Sequence, residues 1–275
     1  VVMAMGAKVK HILSVSLGSS ARDKTVEVEL LGQRLLLDRR GTDGDVQRFE
    51  DFLVRHDGAV DVLCVGGTNL GLHCGERLYP YRSMARLLAR IHQTPVVDGS
   101  GIKATLEPRT LEILQERGLV DFRNTRVLLS SSVDRFGMAE ALDRLGADVI
   151  YGDLLFGTGL PLPLHSLRRA RCLARRFLPL LTHLPLNFWW HTAPPRGAHT
   201  TRGRRYFEWA EVLAGDLPTL RRYLPETIAD KVVITNTTTE EDEADLAARG
   251  ARMVVTTSPL LEGRAFATNV LEGVF

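Results

Sequence analysis

Cysteine is scarce in this chain: Cys64, Cys74 and Cys172 are the three among 275 residues. Widely separated, they cannot form a disulfide framework, and a reduced, cytoplasmic setting is the expectation. An excess of one charge is also missing. Thirty-five Lys and Arg against 33 Asp and Glu leave +2, so no global field gathers nucleic acid or a membrane surface. The greasiest stretch, Phe177 to Trp190, contains Pro179 and Pro185 and falls short of the roughly 20 residues that span a bilayer. The apolar start, Val1 to Ala7, has no basic region before it and is too short for a signal peptide. Neither nucleic acid nor membrane is expected as a partner.

Several signatures of chemistry are absent too. Neither H-x-x-x-H nor C-x-x-C occurs, and His73-Cys74 is an adjacent pair rather than a helical-face spacing, so no metal is expected. No Walker sequence and no G-x-S-x-G appear, which argues against triphosphate hydrolysis and α/β-hydrolase chemistry.

What is present reads as an ordinary globular protein, since 44% hydrophobic and 25% charged residues exclude disorder and collagen-like structure. The length fits one large or two modest domains, at about 150 residues each. His11–Leu17 reads as a strand ending in Gly18-Ser19-Ser20, and Lys24–Leu31, Gly32-Gln33 and Arg34–Asp38 as a hairpin. Asp45–Arg55 reads as a helix, Val60–Val65 as a buried strand closed by Gly66-Gly67, Ser83–His92 as a helix, and Thr94–Val97 as a short strand. A helix over Leu106–Arg117 then leads to the most legible unit: strand Thr125–Ser130, helix Gly137–Leu145 and a strand ending at Asp153, a βαβ pattern. Short apolar strands follow at Ala210–Ala214, Lys231–Thr235 and Arg252–Thr256. Between the last two, Thr239–Arg249 carries a Thr N-cap and a first turn rich in acids. The last helix, Ala265–Val274, is expected to pack back across the domain junction. These patterns predict an α/β protein: a smaller α/β domain over 1–101, then a Rossmann-like, doubly wound parallel sheet over 102–275 with an insertion at about 155–203.

In such a sheet, ligands bind outside the carboxyl ends of the strands. The turn Ser130-Ser131-Ser132-Val133-Asp134-Arg135-Phe136-Gly137 lies there, with hydroxyls in place of the G-x-G-x-x-G that admits a pyrophosphate. Ser131, Ser132 and Arg135 are its candidate phosphate contacts. Asp153, 23 positions beyond Ser130, has the spacing of an acid that meets a ribose 2′-hydroxyl, favouring NAD over NADP. Asn236, after a later strand, is a candidate contact for a carboxamide. In the first domain, the turn Ser19-Ser20-Ala21-Arg22 could hold a carboxylate, and Gly66-Gly67-Thr68-Asn69 points toward the same edge. Each of these turns equally suits plain polar decoration of a strand end.

The segment Asp98-Gly99-Ser100-Gly101-Ile102-Lys103 resembles the shikimate and quinate dehydrogenase group, where Asp-Gly-x-Gly closes the substrate domain. The blocks VSLGSSARD, VVDGSGIKATLE, SSVDRFGMAEAL, VITNTTTEED and TTSPLLEGRAFATNV also resemble bacterial proteins labelled quinate 5-dehydrogenase. The resemblance implies that Asp98 binds substrate hydroxyls and assists proton transfer. The group's N-x-T-x-P-x-K segment is missing. With Lys103 expected to point along the connecting helix, Lys24 is the preferred lysine partner of Asp98, against the plain reading of a solvated strand start. The expected activity is NAD(P)-dependent oxidation of a secondary alcohol of a small hydroxy acid. A non-catalytic nucleotide- or metabolite-binding protein, or a nonredox enzyme using the same cleft, are the alternatives. Arg168, Arg169, Arg171, Arg175 and Arg176 read as a solvated helix or subunit contact, and Phe188, Trp189 and Trp190 as homodimer contact or buried core.

Overall fold

The computed structural model describes residues 9–185, 203–258, 260–261, 264–265 and 267–275. The apolar start, the Phe188-Trp189-Trp190 cluster, most of the Thr192–Gly203 loop and Glu262-Gly263 lie outside the described residues.

β1 (Lys10–Ser16) is buried on both faces from Ile12 onward, as a continuous apolar run requires. β2 (Lys24–Leu30) alternates half-buried and exposed positions and runs antiparallel to β3 (Gln33–Gly41). Leu30 pairs with Gln33, so the hairpin turn is Leu31-Gly32, one residue earlier than expected. Both turn residues have positive φ, 53° and 73°, the primed-turn geometry that suits strand twist. α1 (Val46–Arg55) starts where Asp45 accepts a hydrogen bond from Arg48 N and buries Phe49 and Leu53. β4 (Val62–Gly66) lies parallel to β1. An unforeseen small hairpin, β5 (Gly71–Cys74) with β6 (Arg77–Pro80), precedes α2 (Arg82–Leu88) and β7 (Val96–Val97). The sheet order is β2-β3-β1-β4-β7.

The second sheet comprises β8 (Arg126–Leu129), β9 (Asp148–Tyr151), β10 (Val212–Ala214), β11 (Val232–Thr235) and β12 (Met253–Thr256), in the order β12-β11-β10-β8-β9. All of its pairings are parallel. Because side chains alternate along a strand, Val127, Leu129, Val212 and Ala214 join one apolar cluster while Leu128 and Leu213 join another. The first cluster includes residues of α3 (Ser100–Glu116) and α4 (Phe136–Leu145). The second includes residues of α5 (Asp153–Thr158), α7 (Arg204–Trp209), α8 (Leu217–Arg221) and α9 (Glu240–Ala248). Helices therefore cover both faces of a parallel sheet, and the protein is α/β with a doubly wound second sheet. Between α5 and α7 lies α6 (Leu167–Leu181), which carries the arginine run and buries Leu167, Ala170, Ala174 and Leu178 in the first cluster.

Two helix starts show why local patterns succeed and fail. α9 has a capping box, Thr239 N donating to Asp242 at 2.9 Å and Asp242 N to Thr239 Oγ1 at 3.2 Å, and it starts where the sequence places it. α3 begins six residues before the expected Leu106 and is capped from the far end of the chain. Glu272, on the C-terminal helix α10 (Thr268–Val274), accepts from Gly99 N at 2.5 Å and Gly101 N at 3.0 Å. Gly99 has φ +88°, and a Cβ there would stand 2.5 Å from Asn269 N, so glycine is needed for both conformation and approach. α10 also contributes Val270 to the apolar layer of Ile12, Leu35, Leu37 and Cys64 beneath the first sheet.

Glu272→Ala removes a charged acceptor from two amides and is expected to cost about 1.5–3 kcal/mol. Urea unfolding followed by circular dichroism measures this; a loss below about 0.5 kcal/mol, the scale of a neutral surface change, contradicts the capping role.

Candidate functional site

In each sheet the connections reverse direction at one place, and a crevice opens there at the carboxyl ends. In the first sheet the chain leaves β1 toward β2 and β3, but leaves β4 toward β7 on the other side. In the second, β8 leads to β9 and β10 to β11 in opposite directions. The loops at these points are Leu17–Asp23 and Gly67–Leu70 in the first unit, and Ser130–Arg135 and Gly215-Asp216 in the second.

The two sets of loops meet at Asn69. Its Nδ2 donates to Asp134 Oδ1 at 2.5 Å. Lys103 Nζ, on the first turn of α3, donates to Asn69 Oδ1 and Asp134 Oδ1, both at 3.1 Å. His73 N adds a bond to the Val133 carbonyl at 3.0 Å. Burial alone would raise the Asp134 carboxyl; the Lys103 ammonium and Arg135 guanidinium outweigh it and hold that acid below the usual carboxylate range.

Arg135 forms the floor. Its side chain is 1% exposed, and it is ion-paired with Glu107, one turn after Lys103 on α3. Nε lies 3.7 Å from Asp134 Oδ2 and Nη2 lies 3.6 Å from Asp216 Oδ1. Burial works against the charged guanidinium, but Glu107, Asp134 and Asp216 together keep its pKa above the ordinary value. The sequence points Arg135 toward a ligand phosphate; instead three carboxylates of the chain surround it, because a desolvated cation requires such partners.

Two further expectations are corrected. Lys24 begins the edge strand β2, while Asp98 follows β7 at the opposite edge. Four strand spacings, roughly 19 Å, separate those edges, so Lys24 cannot share a proton with Asp98. Lys103 is the lysine that reaches the crevice. Asp98 itself is 6% exposed, with Oδ2 accepting from Leu70 N at 2.7 Å and Oδ1 from Ser100 N at 2.9 Å and Ser100 Oγ at 2.6 Å. It holds the segment that carries Asn69 rather than facing a ligand.

Ser131, Ser132 and Asp153 come together. Asp153 accepts from Ser131 Oγ at 3.1 Å, Ser132 N at 2.8 Å, Ser132 Oγ at 2.7 Å and Val133 N at 3.2 Å. Burial nevertheless lifts the Asp153 carboxyl above its ordinary value, ahead of the lowering by these bonds. Further along the same edge, Ser130 Oγ, Thr257 Oγ1 and Ser258 Oγ are buried without a hydrogen-bond partner among the described residues. Asn236, half-buried, accepts from Ser258 N at 3.1 Å through its carbonyl. Gly215, at φ +135°, makes room for Ser130, whose Oγ would lie 1.9 Å from a Cβ there.

In the first unit, Ser19 Oγ accepts from Ala21 N at 3.2 Å and Ser20 N donates to Asp43 Oδ1 at 2.7 Å, while Arg22 is exposed. Thr68 adjoins Asn69 and makes a long 3.4 Å contact to its carbonyl. Arg39 of β3, one residue past the hairpin pattern read in the sequence, donates to the Ser19 carbonyl and Asp23, each at 3.0 Å. Glu107, Asp134 and Asp216 also escape sequence reasoning. The i, i+4 spacing of Lys103 and Glu107 is the one local signal that a polar face of α3 is buried.

Asp134→Asn tests the electrostatics of the crevice. A carboxyl held below its unfolded value contributes stability above about pH 4 that is lost as pH falls toward the folded value. Unfolding free energies measured from pH 7 to 3 are therefore expected to decline less steeply in Asp134→Asn than in the wild type; equal acid slopes contradict the ionic role.

A solved glutamate dehydrogenase from Thermus thermophilus, in its Leu-bound form, is similar at 15% identity and a TM-score of 0.40, covering 98% of this chain and 68% of its own. A solved dipicolinate synthase chain from Bacillus halodurans is similar at 13% identity and a TM-score of 0.32, covering 96% of both chains. No curated protein sequence matches the chain. Residues 11–98 match the model described as Domain of unknown function (DUF8753). Residues 101–275 match a second model over more than half of the chain, which therefore belongs to the family described as Domain of unknown function (DUF8754).

Proposed function

We propose that the crevice binds a small hydroxylated metabolite and that the protein is a nicotinamide-dependent oxidoreductase acting on one of its secondary alcohols. The carrying observation is the geometry of Lys103. As an ammonium, Lys103 has three N–H groups; Asn69 Oδ1 and Asp134 Oδ1 accept two of them, leaving the third to face a substrate oxygen and exchange a proton with it. In reduction that third proton passes from Lys103 Nζ to the forming alcohol oxygen, and in oxidation the neutral amine so formed takes it back. Asp98 keeps Asn69 in place by holding Leu70 N, and Glu107 and Arg135 fix the face of α3 and the Asp134 carboxylate around the amine.

The fit of a nicotinamide cofactor rests on the orphaned hydroxyls of Ser130, Thr257 and Ser258, which with Asn236 suit a ribose and carboxamide. When bound, that group supplies the hydride acceptor. Asp153 favours NAD over NADP in this reading, because a carboxylate repels a 2′-phosphate. Quinate and shikimate are the substrates to test first, on the resemblance of the Asp98–Lys103 segment.

One observation favours a second reading, a metabolite-binding or nonredox protein. The amides of Ser132 and Val133, placed where a pyrophosphate would draw on them, already donate to Asp153.

Calorimetric titration with NAD and NADP, with and without quinate or shikimate, separates the two. Saturable cofactor binding with turnover, reduced about 10²-fold or more in kcat by Lys103→Met with KM little changed, supports the first reading. A folded protein that binds neither cofactor refutes it and leaves the second.

A further inference from the structure

The arginine run of α6 borders an unfilled cavity away from the crevice. α6 turns its apolar stripe, Leu167, Ala170, Ala174 and Leu178, into the core. The neighbouring stripe, Arg168, Arg171, Cys172 and Arg175, follows the same helical spacing and faces Glu140, Asp143 and Arg144 of α4 across a cavity of about 640 Å³. Helices in contact normally fill such a gap with apolar side chains; here six of the nine lining residues are charged.

Its charges do not balance within the wall. Arg171 is ion-paired with Glu140 and has the Phe136 ring 4.8 Å from its guanidinium, while its Nε is buried without a hydrogen-bond partner among the described residues. Arg144 leans outward to Glu112 at 3.5 Å. Arg168 and Arg175 have no ion pair or side-chain hydrogen bond among the described residues, and Asp143 faces the same space. With Arg144 paired to Glu112, the wall's Arg168, Arg171 and Arg175 against Glu140 and Asp143 leave one positive charge in surplus. The two guanidiniums without partners stand on one helix face, one turn on either side of Arg171 and Cys172, and their long side chains can both reach an anion lodged between them.

We infer that this cavity is a binding site for a small multiply charged anion, a phosphate or a polycarboxylate, held by Arg168 and Arg175 with Arg171 as the positioned wall. The site is separate from the crevice and does not depend on the proposed oxidoreductase chemistry.

Cys172 is a built-in reporter: it is exposed on the cavity wall, while Cys64 and Cys74 are buried. Its alkylation by anionic iodoacetate and by neutral iodoacetamide, followed by mass spectrometry, reads the local potential. The iodoacetate-to-iodoacetamide rate ratio is expected to fall about tenfold in Arg168→Ala/Arg175→Ala, the scale of losing two nearby charges. Inorganic pyrophosphate and citrate, tried separately against sodium chloride at matched ionic strength, are expected to slow the iodoacetate reaction at least about fivefold in the wild type and not in the double variant. Protection by one of them alone identifies the anion as phosphate or polycarboxylate. An unchanged rate ratio in the variant, or equal protection by chloride, overturns the site. Both substituted residues are exposed, so a folded variant is expected, and circular dichroism verifies it.

Discussion

Arg135 is a permanent cation almost wholly withdrawn from water, and the arrangement around it follows from that. A buried guanidinium is tolerated only where carboxylates are brought to it. Here they come from three places in the chain: Glu107 on α3, Asp134 just before α4 and Asp216 just after β10. Meeting that demand fixes α3 against the switch point of the second sheet. Gly137 permits the approach, since a Cβ there would be 3.1 Å from the Ala104 carbonyl oxygen. Once Glu107 is fixed, Lys103 one turn earlier is fixed too, and its ammonium meets Asp134.

The first unit joins this frame through a short segment. Asp98 holds Leu70, which presents Asn69 to both Lys103 and Asp134. The C-terminal helix closes the arrangement from behind, with Glu272 on the amides of Gly99 and Gly101 and Asn269 Nδ2 on Ser14 Oγ at 2.9 Å. Residues more than 170 positions apart thus set the start of the helix that carries the lysine. The proposed chemistry uses this rigidity: a proton carrier must be held within reach of its hydroxyl, and here the holding groups belong to both units.

Features encoded by near neighbours are legible in the sequence. The βαβ unit, the alternation of β2, the Thr239 cap and the buried strands all depend on residues within one or two turns. The site is legible only in part. Ser131, Ser132 and Asp153 cluster as their placement at strand ends suggests, and Asn69 lies at the meeting of the two units. Local patterns favour Lys24 over Lys103 because they start the connecting helix at Leu106, with Lys103 in its approach; the cap that starts α3 at Ser100 comes from Glu272, which no local pattern reveals. Arg135 looks like a surface phosphate ligand in the sequence because its three carboxylate partners are spread over distant segments. The hairpin of β5 and β6 escapes because Gly71–Cys74 is short and lacks alternation.

The central claim is that Asn69, from one unit, and Asp134, from the other, act as one element of the crevice. A double-mutant cycle with Asn69→Ala, Asp134→Ala and the pair, read by urea unfolding at pH 7, tests it most directly. The account predicts a coupling of about 0.5–3 kcal/mol. Additivity within about 0.3 kcal/mol would contradict it.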